Sequence, residues 1–140
     1  MHNKFKGTLD VVIDGETYTM RPTFDAMECF TQEAKMSERE AFDKIASNTF
    51  SSALIVNAIY AGIMGEYWAT NRASKHIERR VLGELMMREG VAKFSVNAYN
   101  FLLFAMVPAE TAIKTLQKVG EEKKSQPEPS NTNGSDSSPS

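Results

Sequence analysis

The 140-residue chain contains a single cysteine, Cys29, and only two histidines, His2 and His76. One thiol excludes an internal disulfide and a cysteine-built metal cage, and it suits a reducing cytosol. The histidines lie far apart in sequence, and no His/Cys/Asp/Glu set has metal-ligand spacing. There is no glycine-rich phosphate loop; the glycines fall where turns and helix ends are expected. Charge of one sign is also lacking. With 16 Lys and Arg against 18 Asp and Glu, the formal net charge is −2, so neither nucleic acid nor an anionic membrane is expected as a partner. The most apolar windows, ALIVNAIYAGIM and FLLFAMV, fall short of the roughly 20 residues a membrane-spanning helix needs. The opening MHNKFKGT has no apolar stretch of the kind a signal peptide requires. These absences lead to the expectation of a soluble protein of the cytoplasm.

What is present begins with LDVVIDGETYTMRPTF, residues 9–24. Asp14-Gly15 between alternating runs signals a two-residue hairpin turn. That turn sets Ile13 opposite Glu16, Val11 opposite Tyr18 and Leu9 opposite Met20. Because side chains alternate with period two, Leu9, Val11, Ile13, Tyr18 and Met20 share one apolar face. Pro22 ends the second strand, since it has no N–H for the ladder. Thr23 then caps a helix bearing Phe24, Met27, Phe30 and Ala34 at helical spacing.

The remainder reads as helices. Ser37 with Glu40 has the capping-box form and opens a helix with Ala41, Phe42, Ile45 and Ala46 on one side. A third helix carries Leu54, Ile55, Ala58, Ile59 and Gly62 and is expected to end near Met64, with Gly65 as its stop. Residues 66–73 fit either a loop or a continuation. Ser74 is placed to cap a helix with Ile77, Val81, Leu82, Leu85 and Met86, closed by Gly90. Residues 92–106 follow, with Phe94, Ala98, Phe101, Leu102 and Ala105 on one face. Pro108 suits the first turn of a short last helix carrying Ile113 and Leu116. Residues 121–140 have no large apolar side chain and are expected to be a disordered polar tail. The fold class expected is mainly α: one domain over residues 1–120, with the hairpin (8–21) packed on five or six helices.

Chemistry-bearing residues do not converge in this pattern. Glu78 and Glu84 stand six apart, on different helix faces, and are not a paired acid and base. Ser51-Ser52 has no neighbouring base. Cys29 reads as a small structural residue. Arg72, Lys75, Arg79 and Arg80 read as a solvated face, because Glu78 and Glu84 interrupt them. Tyr67 and Trp68 read as cover for the edge of the core, with an exposed aromatic anchor as the alternative. No enzyme, cofactor or metal is expected.

Two helices carry a second apolar stripe opposite the first. On 92–106 it is Val96, Tyr99, Leu103 and Met106; on the third helix it is Val56, Tyr60 and Ile63. A helix apolar all round is either buried on both sides or offers a patch to a partner. Both readings stay open. On the second, the partner-binding residues are Val56, Tyr60, Val96, Tyr99, Leu103 and Met106. The hairpin's outer edge is a further candidate contact, able to accept a strand from another copy of the chain.

The run Tyr18-Thr19-Met20-Arg21-Pro22-Thr23-Phe24, with Ile59, Ala61 and Gly62 downstream and Val81, Gly83 and Glu84 in a closing region, resembles the tail assembly chaperones of phages and gene transfer agents. Members of that family are sometimes labelled tail tube proteins. The resemblance covers roughly residues 7–107. It implies a protein that coats the tape measure protein before the tail tube polymerises around it, with the tail tube protein as a second partner. It also implies action in the host cytoplasm and absence from the finished virion. A tube subunit would need many alternating strands, and only two are read here. The alternative is a structural component, a minor tail or connector protein.

Overall fold

A computed structural model describes residues 7–108 and residue 111. The short helix expected after Pro108, with Ile113 and Leu116, and the polar tail expected at 121–140 lie outside the described residues. Strands β1 (Leu9–Ile13) and β2 (Glu16–Met20) form an antiparallel hairpin. Helices α1 (Phe24–Ala34), α2 (Glu38–Ala46), α3 (Ser52–Ala69), α4 (Arg79–Glu89) and α5 (Ser95–Met106) follow. A 3-10 turn, Val91–Phe94, leads directly into α5. The architecture is mainly helical with an N-terminal hairpin, as the pattern implies.

The hairpin register is the one the turn dictates: Leu9 opposite Met20, Val11 opposite Tyr18, Ile13 opposite Glu16. Asp14 and Gly15 both take positive φ, 54° and 78°, as a type I′ turn demands. Val11, Ile13, Tyr18 and Met20 are buried and Leu9 packs at their margin. A ribbon too small to stand alone is thereby fixed to the bundle.

Helix α3 is the centre. It touches α1, β2, α4, α5 and the 3-10 turn, and this explains why it is apolar around most of its circumference. Ser51 caps it by accepting from the Leu54 N–H, which accounts for one of the two serines.

Gly65 does not stop α3. The helix continues another turn to Ala69, and the glycine serves a close approach instead. A Cβ on Gly65 would press into the Arg21 carbonyl oxygen and lie 2.7 Å from the Ala26 Cβ. A Cβ on Gly62 would lie 2.8 Å from the Met20 Cβ. These two positions let the β2–α1 junction lie directly on α3. The Arg21 N–H donates to the Gly62 carbonyl at 3.0 Å, and the Arg21 Nε meets the Glu66 Oε1 at 2.7 Å. Pro22 is buried. Thr23 caps α1 by accepting from the Ala26 N–H at 3.0 Å.

Three further expectations are corrected. Ser74 caps no helix; its N–H donates to the Thr70 Oγ1, and α4 begins only at Arg79. Residues 70–78 form a connection, tied to the hairpin by Lys75 Nζ on Glu16 Oε1 at 2.8 Å. Val81 lies on the outer side of the shortened α4, 45% exposed, while Leu82 and Met86 are buried. Phe24, at the first position of α1, is 79% exposed, because it stands roughly a third of a turn from the face that carries the buried Ala26, Met27 and Phe30.

Candidate partner-binding site

The six candidate partner-binding residues do not form one surface. Val56 is 7% exposed and floors a shallow groove between α3 and α4, where Ala53, Gly83 and Met87 also lie. Gly83 contributes to that groove by lacking a side chain: a Cβ there would meet the Val56 Cγ1 at 3.6 Å. Val96 is 62% exposed and borders a hollow with Ile45 and Ala46 of α2. Tyr99 is covered by the ring of Phe42, with centroids 4.7 Å apart. Leu103 and Met106 are half-buried, and Phe104 between them is fully buried. The second stripe of α5 is therefore shared between core, an α2 contact and solvent.

Tyr60 belongs to a different place. Around α3 nearly every position from Leu54 to Gly65 is buried, and the side that reaches the surface carries Tyr60, Met64 and Tyr67 at helical spacing, with Trp68 beside them. On one side of this strip is a hollow of about 300 Å³, walled by His76, Ile77 and Glu78. On the other, Trp68 faces Asp25, Glu28, Cys29, Gln32 and Glu33 of α1 across a hollow of about 520 Å³. The Tyr67 and His76 rings meet edge to face at 4.2 Å.

Electrostatics join the two hollows at Tyr60. Burial pushes the Tyr60 hydroxyl above its ordinary range; Cys29, Glu33 and Glu78 add to this and Arg79 opposes it. Burial likewise raises the Cys29 thiol, reinforced by Glu33 and opposed by Arg79, so the thiol is protonated and poorly nucleophilic at neutral pH. Arg79 sits between the walls, with its Nε 3.6 Å from the Glu33 Oε1 and its Nη1 donating to the Asn57 Oδ1 at 3.2 Å. It thereby provides a hydrogen-bond partner for Asn57, the buried polar side chain of α3. The carboxylates of Asp25, Glu28 and Glu78 face solvent around the strip.

The sequence pattern missed Met64 and the acidic wall as one site. The signal was present: Tyr60, Met64 and Tyr67 continue a single helical stripe. Reading Gly65 as a helix stop cut that stripe in two. Tyr67 is half-buried beside the His76 ring, whereas Trp68 is 39% exposed, and neither is among the side chains packed on the core.

Among the described residues no group of His, Cys, Asp and Glu is placed to hold a metal ion, and no helix is long and apolar enough to cross a membrane. In comparisons with known proteins, no family model, curated protein or solved structure matches the chain.

Proposed function

We propose that this protein is an assembly chaperone of a phage-type tail, holding the tape measure protein until the tube forms around it. The observation that carries the reading is a contact. The two segments most responsible for the sequence resemblance, residues 18–24 and the stretch with Ile59, Ala61 and Gly62, meet each other in the fold. Arg21 bonds through its backbone to Gly62, and Met20 fills the space that Gly62 leaves. Separated sequence motifs that pack together support a resemblance of whole folds rather than of short strings. Two strands and five helices among the described residues also favour this reading over a tube subunit, whose hollow ring is made of sheets. The role calls for surfaces that hold an apolar helical client. The exposed residues of α3 and the side chains of Phe24, Met87 and Val96 supply apolar surface of that kind.

Co-expression tests the proposal. A tape measure protein from the same genome should stay soluble with this chain and precipitate without it; equal precipitation in both cultures overturns the reading. In this reading the protein works in the host cytoplasm and leaves before the particle is complete. Mass spectrometry of purified particles separates it from the second reading, a minor tail or connector protein, which would be present at fixed copy number.

The hairpin adds a proposed self-contact. The two-residue turn makes Ile13–Glu16 a hydrogen-bonded pair, so alternation directs the backbone groups of Thr17 and Thr19 to the outer edge of β2. The outer edge of β1 is engaged at both ends: Asn97 Nδ2 reaches the Asp10 carbonyl, and the Asp14 N–H donates to the Glu89 carboxylate. Past the end of β2 this outward series is taken up by α3, where the Arg21 N–H donates to the Gly62 carbonyl. The Thr17–Thr19 stretch of the edge is thus the part suited to pair with a second copy.

A further inference from the structure

We infer that the strip where α3 reaches the surface is a docking groove for a basic amphipathic helix of a partner protein. This deepens the chaperone proposal and rests on it only for the source of the partner. The floor, Tyr60, Met64 and Tyr67, spans two helical turns, or roughly 10 Å at 1.5 Å per residue. That length matches a partner helix presenting apolar side chains at i, i+3 or i+4, and i+7. Trp68 and Tyr67 are of the residue types that most often anchor interfaces, and tryptophan is the ring type that binds cations best.

Charge selects the occupant. One wall carries Asp25 and Glu28, with Glu33 paired to Arg79, and the other carries Glu78. The cation between them, Arg79, is committed to Glu33 and Asn57. His76 packs on Tyr67. Lys75, next in the chain, is turned away to Glu16 on the hairpin. An apolar floor between acidic walls repels an acidic helix and an anionic surface. It complements a helix whose apolar stripe is flanked by Lys or Arg. Neither a leucine-rich helix without charge nor a lysine-rich chain without an apolar stripe meets both conditions.

The chain supplies its own reporters, because Trp68 is its sole tryptophan and Cys29 its sole cysteine, and both line the groove. The probe is a synthetic 18-residue helix with Leu at the apolar positions and Lys elsewhere. Two controls keep its length, one with Ser for Leu and one with Glu for Lys. The Leu/Lys helix should shift Trp68 emission and slow iodoacetamide alkylation of Cys29 at least fivefold, binding at least tenfold tighter than either control. Glu28→Lys and Asp25→Lys, both at exposed positions, should each weaken binding at least fivefold with unchanged circular dichroism. Equal binding of the Ser control, equal binding of the Glu control, or unprotected Cys29 at saturating peptide overturns the inference. So does self-association of the protein that quenches Trp68 without peptide, since a second copy would then be the occupant. The two proposals fail separately. A soluble tape measure protein with no peptide capture removes the groove alone, and peptide capture beside a precipitating tape measure protein removes the chaperone role alone.

Discussion

Gly65→Ala should destabilise the protein, although alanine is the better helix former. In an exposed helix interior the exchange gains about 1 kcal/mol. At position 65 the new methyl would press into the Arg21 carbonyl oxygen and lie 2.7 Å from the Ala26 Cβ, where ordinary contact begins at 3.4 Å. Neither neighbour is the free end of a flexible side chain. One is backbone, and the other is the short Cβ of a buried helical residue. The β2–α1 junction must therefore move outward by at least about 0.7 Å, which is costly in a close-packed interior. Such overpacking costs about 1–3 kcal/mol. The movement also stretches the Arg21 N–H to Gly62 bond, now 3.0 Å, worth about 1 kcal/mol. The net expectation is a loss of about 2 kcal/mol, or about 8 °C in Tm for a domain near 100 residues. Gly83→Ala is the internal comparison. It also lies inside a helix, but its new methyl would meet only the Val56 Cγ1 at 3.6 Å, an ordinary contact. That variant should gain about 0.5–1 kcal/mol. Urea melts of the two variants followed by circular dichroism give both signs in one experiment. If Gly65→Ala raises the midpoint as Gly83→Ala does, the close approach does not constrain the fold and this account of the junction is wrong.

Arg21→Ala should cost about 2 kcal/mol, because it strips a charge-assisted bond from Glu66, a carboxylate with little solvent access. Arg21→Ala combined with Glu66→Ala should recover part of that loss in a double-mutant cycle, whereas an Arg21→Ala melt matching the parent's refutes a stabilising role for the pair. Thr17→Pro removes an N–H that the hairpin ladder does not use, so the variant should melt like the parent yet lose any oligomer seen by sedimentation velocity. An oligomer that survives Thr17→Pro excludes the β2 edge as its contact.

The parts of the fold that local chemistry fixes were legible. The Asp14-Gly15 turn set the strand register, and Thr23 and Ser37 cap the helices they precede, each accepting from the N–H three residues on. What misled was residue type serving a distant purpose. Gly65 resembles a helix stop, but its role is defined by Arg21 and Ala26, some forty residues earlier in the chain and invisible to a local window. Ser74 resembles a cap, but Thr70 takes its N–H and the chain stays non-helical to Glu78. The α5 stripe resembled a continuous surface because nothing in its own residues shows that Phe42 of α2 lies on Tyr99. The candidate groove was half visible. Its floor follows helical spacing, whereas its acidic wall comes from α1 and only the fold brings the two together.

The glycines that fix the junction also set the groove. Gly65 and Trp68 stand three residues apart on α3, nearly one turn, so the helix separation at Gly65 governs the gap between Trp68 and α1. Ala26, against which Gly65 rests, and Cys29, which lines the hollow, are likewise three apart on α1. A wedge at position 65 therefore opens the groove where the partner's apolar side chains would be held. Gly65→Ala should weaken capture of the Leu/Lys helix even under conditions where the variant is fully folded, and Gly83→Ala, whose methyl meets only Val56 and does not part α3 from α1, should leave it unchanged. Equal capture by both would mean that the groove tolerates a wider spacing. The close approach of β2, α1 and α3 would then serve stability alone.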